Sequence, residues 1–394
     1  MSEYPFHFQE ATFAEFFAGI GLMRIGLENA GWKIRFANDI DPVKAKIYNG
    51  HFQDEHDHFL LGDIHELKGG NIPTVTLATA SFPCTDLSLA GKREGLAGRH
   101  SSAFWGFVDA LESMGERRPP MVLLENVEGF LTSHGGQDFK EALTALNGLG
   151  YAVDAFIIDA SHFVPQSRVR LFVVGHQTPH KGNGVAQRKE PYQNSLRSKK
   201  LVDFILAHPE INWDIRDLPA LPKRSATLSD IVEELPEDSK IWWSEDRVEY
   251  LLNQTFDRHK SIIEFLKSKN EYSYLTAFRR VRNGRSMAEI RSDGIAGCLR
   301  TPKGGSARQI LLQVGKGQVK IRFVSPRECA RLMGADDFIL SGNFNQSLFG
   351  FGDAVCVPVV TWIANNYLNP LLLELNTSTK TLPRYDRQFA PFDV

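Results

Sequence analysis

The sequence predicts a doubly wound α/β domain interrupted by a smaller, basic one. Three observations carry that prediction. The chain opens with a strand, a glycine turn and a helix; several apolar, strand-like runs follow, each ending in a chemically capable residue; and a stretch of concentrated positive charge then separates these runs from a further helical segment. Ligand groups in an open parallel sheet collect beyond the carboxyl ends of its strands, so the residues at those ends are the functional candidates.

Residues 12–17 predict the first strand, 18–21 a tight turn built on Gly19 and Gly21, and 22–30 a helix closed by Gly31. The next strand, 33–37, delivers Asp39 twenty residues after Gly19. A turn that lets a ligand approach the backbone, followed by an acid able to hold ribose hydroxyls, is the logic of a nucleotide-type cofactor site. Position 24 is Arg, where a dinucleotide fingerprint needs its third glycine, and this disfavours a dehydrogenase. Gly62-Asp63-Ile64 follows another strand-like run and offers a second acid, suited to an adenine amino group.

The apolar run 75–82 leads into Pro83-Cys84. Proline fixes its own φ and pushes Phe82 toward an extended conformation, so the chain turns where the thiol emerges. A cysteine after a buried strand is commonly an inert apolar residue, and its neighbours decide. Residues 119–127 predict a buried strand with Glu125 at its carboxyl end; 151–158 predict another; in 165–174, Arg168 and Arg170 alternate onto one strand face. Taken singly, Glu125 could cap a helix and the arginines could solubilise an edge strand.

Composition narrows the class. Four cysteines, Cys84, Cys298, Cys329 and Cys356, lie far apart with no CxxC pair, as expected of a reduced, intracellular chain. The N-terminus lacks a basic stretch followed by an apolar one, and no apolar run looks long enough to span a bilayer, so the expectation is a cytoplasmic protein without membrane contact. His56-Asp57-His58 has no partners at ligand spacing, so no metal is expected and these histidines are read as loop residues. The net charge of −2 excludes a uniformly basic nucleic-acid binder, but between residues 277 and 322 eight Arg and three Lys face two acids, a local charge of +9. Such a cluster suits phosphates and guanine edges; the plainer alternative is a solvated surface. Trp242-Trp243 and a helix-like stretch over 248–269 give the same region a core of its own, and Ser325-Pro326-Arg327-Glu328 predicts a capped helix start, with Cys329 and Cys356 in apolar, structural settings.

Phe16-Phe17-Ala18-Gly19-Ile20-Gly21, Asn38-Asp39-Ile40-Asp41, Gly62-Asp63-Ile64, Phe82-Pro83-Cys84, Glu125-Asn126-Val127, Gln166-Ser167-Arg168-Val169-Arg170 and the run from Arg327 to Gly334 occur in one order along the chain. In that order they resemble the cytosine-C5 DNA methyltransferases of bacterial restriction-modification systems. The likeness covers residues 12–176 and 322–365, and the gap falls where that family places its target-recognition domain. Three positions depart from the family pattern: Thr85 stands for Gln, Leu22 for a glycine of the cofactor loop, and Asp353 for Asn.

The resemblance implies a Rossmann-like, S-adenosylmethionine-dependent methyltransferase domain over 1–176 and 323–376, a recognition domain over 177–322 and a tail over 377–394. It implies that Cys84 adds to C6 of a cytosine, that Glu125 holds N3 and the exocyclic amine, and that Arg170, supported by Arg168, holds the O2 side. Phe17, Gly19, Ile20, Gly21, Asp39, Ile40, Asp63, Ile64, Pro83 and Asp353 would bind S-adenosylmethionine. Arg93, Arg279, Arg282, Arg300, Lys303 and Arg308 would contact double-stranded DNA, with Arg300 and Arg308 the candidates for reading bases. A paired base cannot be reached in the stack, so the cytosine must be flipped out, and the glycine-rich segment 88–102 is the candidate lid. The expected protein is a monomer that shares its site with a cognate restriction endonuclease. A tRNA cytosine methyltransferase and an NAD-dependent oxidoreductase remain as alternatives, and a non-catalytic descendant is disfavoured by the presence of Cys84, Glu125 and both arginines.

Overall fold

The computed structural model describes residues 10–54, 56–83, 103–178, 182–185, 192–236, 238–282, 284–301 and 308–380. Cys84, Thr85, Arg93, the segment 88–102 and Lys303 lie outside the described residues.

Seven strands, β1 (Thr12–Phe16), β2 (Lys33–Asp39), β3 (Phe59–Leu61), β4 (Leu77–Ala80), β5 (Met121–Val127), β6 (Tyr151–Asp159) and β7 (Val169–Gln177), form one sheet in the order β3-β2-β1-β4-β5-β7-β6. β1 to β5 run parallel, and β7 is antiparallel to both of its neighbours. The order reverses between β1 and β4, which opens a crevice at the carboxyl ends of those strands. The central strands β1, β4 and β5 are buried on both faces, as parallel strands covered by helices are, whereas β3 at the edge is largely exposed. One face meets α1 (Leu22–Glu28) and the C-terminal helices. The other meets α3 (Ala103–Ser113), through Phe104, Phe107 and Leu111, and α4 (Gln137–Gly148), through Phe139, Leu143 and Leu146. α2 (Pro42–Phe52) begins directly beyond β2.

The antiparallel strands β8 (Ser273–Arg282), β9 (Arg285–Arg291), β10 (Ile310–Gly315) and β11 (Gln318–Phe323) make a second sheet in the order β11-β10-β8-β9. Leu251 of α7 (Glu245–Asn253) and Ile263 of α8 (Asp257–Lys267) close its core over Leu275, Ala277, Leu312 and Ile321. The helical stretch expected over 248–269 is therefore two helices. The chain breaks at Thr255, whose hydroxyl donates to Leu252 O at 2.7 Å and which pairs with Ala288 of β9. The segment expected to begin the inserted domain at 177 first returns to the main sheet: α5 (Lys199–Ala207) and Trp213 join the core of α3 and α4, and α6 (Leu228–Ile231) joins the opposite one. The separate core gathers only from Trp243 onward.

α9 (Pro326–Leu332) starts with the expected capping box: Ser325 Oγ accepts from Glu328 N at 3.2 Å, and Glu328 Oε2 accepts from Ser325 N at 2.8 Å. α10 (Phe344–Asp353), α11 (Val357–Ile363) and α12 (Asn369–Lys380) complete the described residues, the last two joined by one π-helical turn over Ala364–Leu368. No membrane-length run was expected, yet the helical run Phe344–Thr377 has that length and apolarity, with a mean hydropathy of 1.6. Its apolar side is engaged within the protein, 61% of the window being buried.

Candidate active site

The crevice begins at the turn after β1. Phe17, Gly19 and Gly21 all have positive φ, at 58°, 59° and 85°. A strand ending at Phe16 rather than Phe17 follows from that reversal. Gly21 is required twice over, by its φ and because a Cβ there would meet the Phe52 and Tyr48 rings at 2.4 and 2.8 Å. Asp39, at the end of β2, holds the turn: its Oδ2 accepts from Gly19 N at 2.7 Å and its Oδ1 from Asp41 N at 2.8 Å. Each carboxylate oxygen retains a second lone pair for a ligand hydroxyl. Ile40, although apolar, is 64% exposed beside it. Asp63 caps a short 3₁₀ turn through His65 N at 3.0 Å and positions buried Ile64. His58, expected in a plain loop, instead meets Tyr48 OH and Arg24 Nη1, each at 3.2 Å, under this wall. Arg24, the residue in place of the third glycine, stacks on the Phe52 ring 3.7 Å from its centroid.

The other end of the crevice is built by β4, β5 and β7. Val127 pairs with Arg170 across the antiparallel β5–β7 ladder, so Glu125, two residues back on the same face, is a diagonal neighbour of Arg170. Glu125 Oε1 stands 2.9 Å from Arg170 Nε, and both side chains are largely buried. Asn126 Nδ2 donates to Phe82 O at 3.3 Å and thereby fixes the segment that leads through exposed Pro83 to position 84. The Phe82 ring lies edge-on to Phe130, 5.5 Å between centroids.

Arg168 departs from the expected alternation. β7 starts at Val169, and Arg168 is 2% exposed with its guanidinium committed to backbone: Nη1 donates to Leu299 O at 3.0 Å, and Nη2 to Gly352 O at 3.1 Å and Ala354 O at 2.5 Å. It clamps three segments together instead of standing beside Arg170 as a second ligand. Nη1 also reaches Cys298 Sγ at 3.4 Å. Burial pushes the Cys298 thiol up, but the guanidiniums of Arg168, Arg170 and Arg300 outweigh it and hold the thiol below its ordinary value. Cys329 and Cys356 are core residues, as their settings predicted; burial raises both, Cys356 to about 12. Asp353 is paired with Lys44 at 2.7 Å.

The +9 stretch is not one surface. Arg322 is buried against Glu328, and Arg291 is paired with Asp293. Arg300 is exposed; Arg308 lies over Phe323 and donates to Asn345 Oδ1 at 2.9 Å. Arg279 sits 6.0 Å from both the Trp243 and Tyr250 ring centroids, and Arg247, 3.8 Å from Trp243, extends the same stack. Arg282 ends β8, paired in register with Arg285. Sequence reasoning gave no role to Arg247, Lys44, Asn126 or Cys298, although Asn126 stands within the Glu125-Asn126-Val127 motif. Lys44 also had a local signal, since Asp41-Pro42 predicts a helix start and so places Lys44 in a first turn beside Asp39. Among the described residues no cluster of His, Cys, Asp and Glu could hold a metal ion.

With this geometry in hand, the family model for C-5 cytosine-specific DNA methylases matches residues 11–369. Type II methyltransferase M.HpaII of Haemophilus parainfluenzae is 29% identical over 382 residues, 92% of this chain and 90% of the relative. M.BsuFI of Bacillus subtilis is 35% identical over 205 residues, which span 52% of this chain and 47% of that protein. M.HhaI of Haemophilus parahaemolyticus is 25% identical, covering 90% of this chain and 93% of the relative. Among solved structures, the S. pombe Dnmt2 methyltransferase matches with a TM-score of 0.58 at 18% identity, over 92% of this chain and 99% of that one. The Entamoeba histolytica methyltransferase EhMeth gives 0.62 at 15%, with the same coverage. At these identities the structural likeness concerns the fold.

Proposed function

The chain belongs to the C-5 cytosine-specific DNA methylase family and is a DNA (cytosine-5-)-methyltransferase; within that activity we propose that Cys84 is the nucleophile, Glu125 and Arg170 hold the target base, and the turn at Gly19 with Asp39, Ile40 and Asp63 holds S-adenosylmethionine. The observation that carries this reading is the Glu125–Arg170 pair at the carboxyl end of β5, next to the strand that delivers position 84. The cofactor wall suits an adenosyl group: exposed Ile40 offers an apolar face, Asp39 and Asp63 keep acceptor capacity for hydroxyls and an amine, and a Cβ on Gly19 would find nothing nearer than Phe17 O at 3.9 Å.

When bound, that cofactor supplies an electrophilic methyl group. The rest is the chain's own chemistry. The Cys84 thiolate adds to C6 of the flipped base, because the thiolate and not the thiol is the nucleophile, and electron density moves to C5. Glu125 stabilises the ring as N3 takes up a proton, and Arg170, oriented by Glu125, faces O2; groups aimed at developing charge act most strongly in a water-poor site. Once C5 carries the methyl group, loss of its proton expels Cys84 and restores the aromatic ring. Arg168 serves by holding the segments around this pocket. Arg247, Arg279 and Arg308, stacked on aromatic rings, and exposed Arg300 give the second sheet its cations for duplex DNA. A monomer in the cytoplasm, modifying a site shared with an endonuclease, fits relatives that carry the name of type II methyltransferases.

Bisulfite sequencing of plasmid DNA from cells expressing the chain tests the reading and reports the modified sequence at the same time. Methylation at one sequence context, lost in Cys84→Ser while S-adenosylhomocysteine still binds, is the expected result. Undiminished methylation in Cys84→Ser would remove the nucleophile assignment.

A further inference from the structure

Asp353 is the one departure from the family pattern that adds a charge at the crevice, and the fold supplies its partner from 309 residues away. Lys44 Nζ lies 2.7 Å from Asp353 Oδ2, with side-chain exposures of 23% and 45%. Lys44 sits in the first turn of α2, whose N-cap Asp41 accepts from Val43 N at 2.8 Å, and Asp41 N donates in turn to Asp39. Burial alone would weaken the Lys44 ammonium, but Asp353, Asp39 and Asp41 together hold it charged. On the opposite side, Asp353 stands between the two carbonyls, Gly352 O and Ala354 O, that accept from Arg168 Nη2, while Arg168 Nη1 reaches Leu299 O. The contact there is close: a Cβ on Gly352 would fall 2.7 Å from the backbone of Arg300 and Thr301.

We propose that Lys44 and Asp353 form a latch across the cofactor crevice, tying the wall that carries Asp39 to the Arg168 clamp and, through Leu299, to the start of the basic loop before β10. The inference rests on the reading that the cofactor binds beside Asp39. Both members of the pair are positioning residues. A closed latch keeps the Asp39 wall and the 352–354 segment at one separation, so cofactor binding and duplex binding reinforce each other. Without Lys44, three carboxylates at the mouth lose their shared cation; without Asp353, the ammonium loses its nearest partner.

The test uses the full chain and S-adenosylhomocysteine as the probe, measured by calorimetry with and without cognate duplex. Lys44→Met and Asp353→Ala should each weaken probe binding about twofold to fivefold, in the range of a largely solvated ion pair. The double variant should lose no more than Lys44→Met does alone, because the contact is already absent there. In the wild type the probe should tighten duplex binding, and in the single variants that enhancement should shrink by a similar factor. Asp353→Asn preserves volume, so a loss there with an unchanged melting temperature separates the latch from misfolding. Single variants that bind the probe as the wild type does, or losses that multiply in the double variant, overturn the latch. Asp39→Ala serves as the reference: if it binds as tightly as the wild type, the cofactor reading fails, whereas if it loses affinity while Asp353→Ala does not, that reading stands and the latch falls.

Discussion

Glu15 is a carboxyl group placed in β1, just before the glycine turn at Gly19. It is 2% exposed in β1, accepts from Arg24 N, and leaves Oε2 without a hydrogen-bond partner. Burial raises its pKa to about 8, against the attraction of Arg24. The folded protein therefore keeps a proton that the unfolded chain releases near its ordinary value of 4.5. The stability this confers is complete below that value and is lost as pH climbs through about 8. Urea midpoints of the wild type should fall between pH 5 and pH 9 on this account. Glu15→Gln, which cannot ionise, should flatten that slope by the equivalent of a few kcal/mol. An identical slope in the variant would show that another group governs the alkaline side.

At the scale of the element, the contact of α1 with α11 illustrates packing overruling propensity. Gly26 lies in the middle of α1, where Ala would be favoured by about 1 kcal/mol on intrinsic grounds. A Cβ there would fall 2.4 Å from Val360 Cβ and 3.0 Å from Val357 O, and Thr361 Oγ1 donates to Gly26 O at 3.0 Å. The two helices meet backbone to backbone, and this brings the C-terminal helices close behind the glycine turn. Gly26→Ala should therefore destabilise the protein by about 1–3 kcal/mol despite its better propensity, as overpacking does. Chemical denaturation measures it, and a gain in stability would mean that the helices separate at little cost.

At the scale of the whole molecule, a buried ion pair ties the second sheet to α9. Arg322, at the end of β11, and Glu328, in the first turn of α9, have side chains 1% and 0% exposed. Arg322 Nη1 donates to Glu328 Oε2 at 2.7 Å, and Glu328 Oε1 also accepts from Glu233 N at 2.9 Å, so one carboxylate gathers the second sheet, α9 and the segment after α6. Removing one partner of such a pair strands the other charge. Arg322→Leu should cost about 3–5 kcal/mol by that reasoning, whereas replacing both partners by apolar residues should cost much less. Equal losses in the single and double variants, measured in urea, would show that the pair itself, and not the stranded charge, sets the cost.

Local rules were enough for much of the site. Glycines before a helix and an acid after the next strand predict the turn at Gly19 and the place of Asp39, because turn chemistry and period-two alternation act over a few residues. A buried strand ending in Glu125 and a second carrying Arg170 are legible for the same reason, although their 2.9 Å contact depends on the β5–β7 register. The family order of motifs added the chemistry that spacing alone left open. What only the tertiary structure decided is partnership between distant segments. Arg168 and Arg170 look equivalent in sequence, yet one meets Glu125 while the other is enclosed by carbonyls from Leu299, Gly352 and Ala354. Arg322 counts as a basic residue until Glu328 buries it, and Asp353 as an anomaly until Lys44 meets it. A charged side chain takes its role from whichever group the fold places within about 4 Å, because the interaction at that distance is several-fold stronger where water is excluded than in bulk solvent. That placement is a property of the packed molecule, which no local stretch of sequence contains.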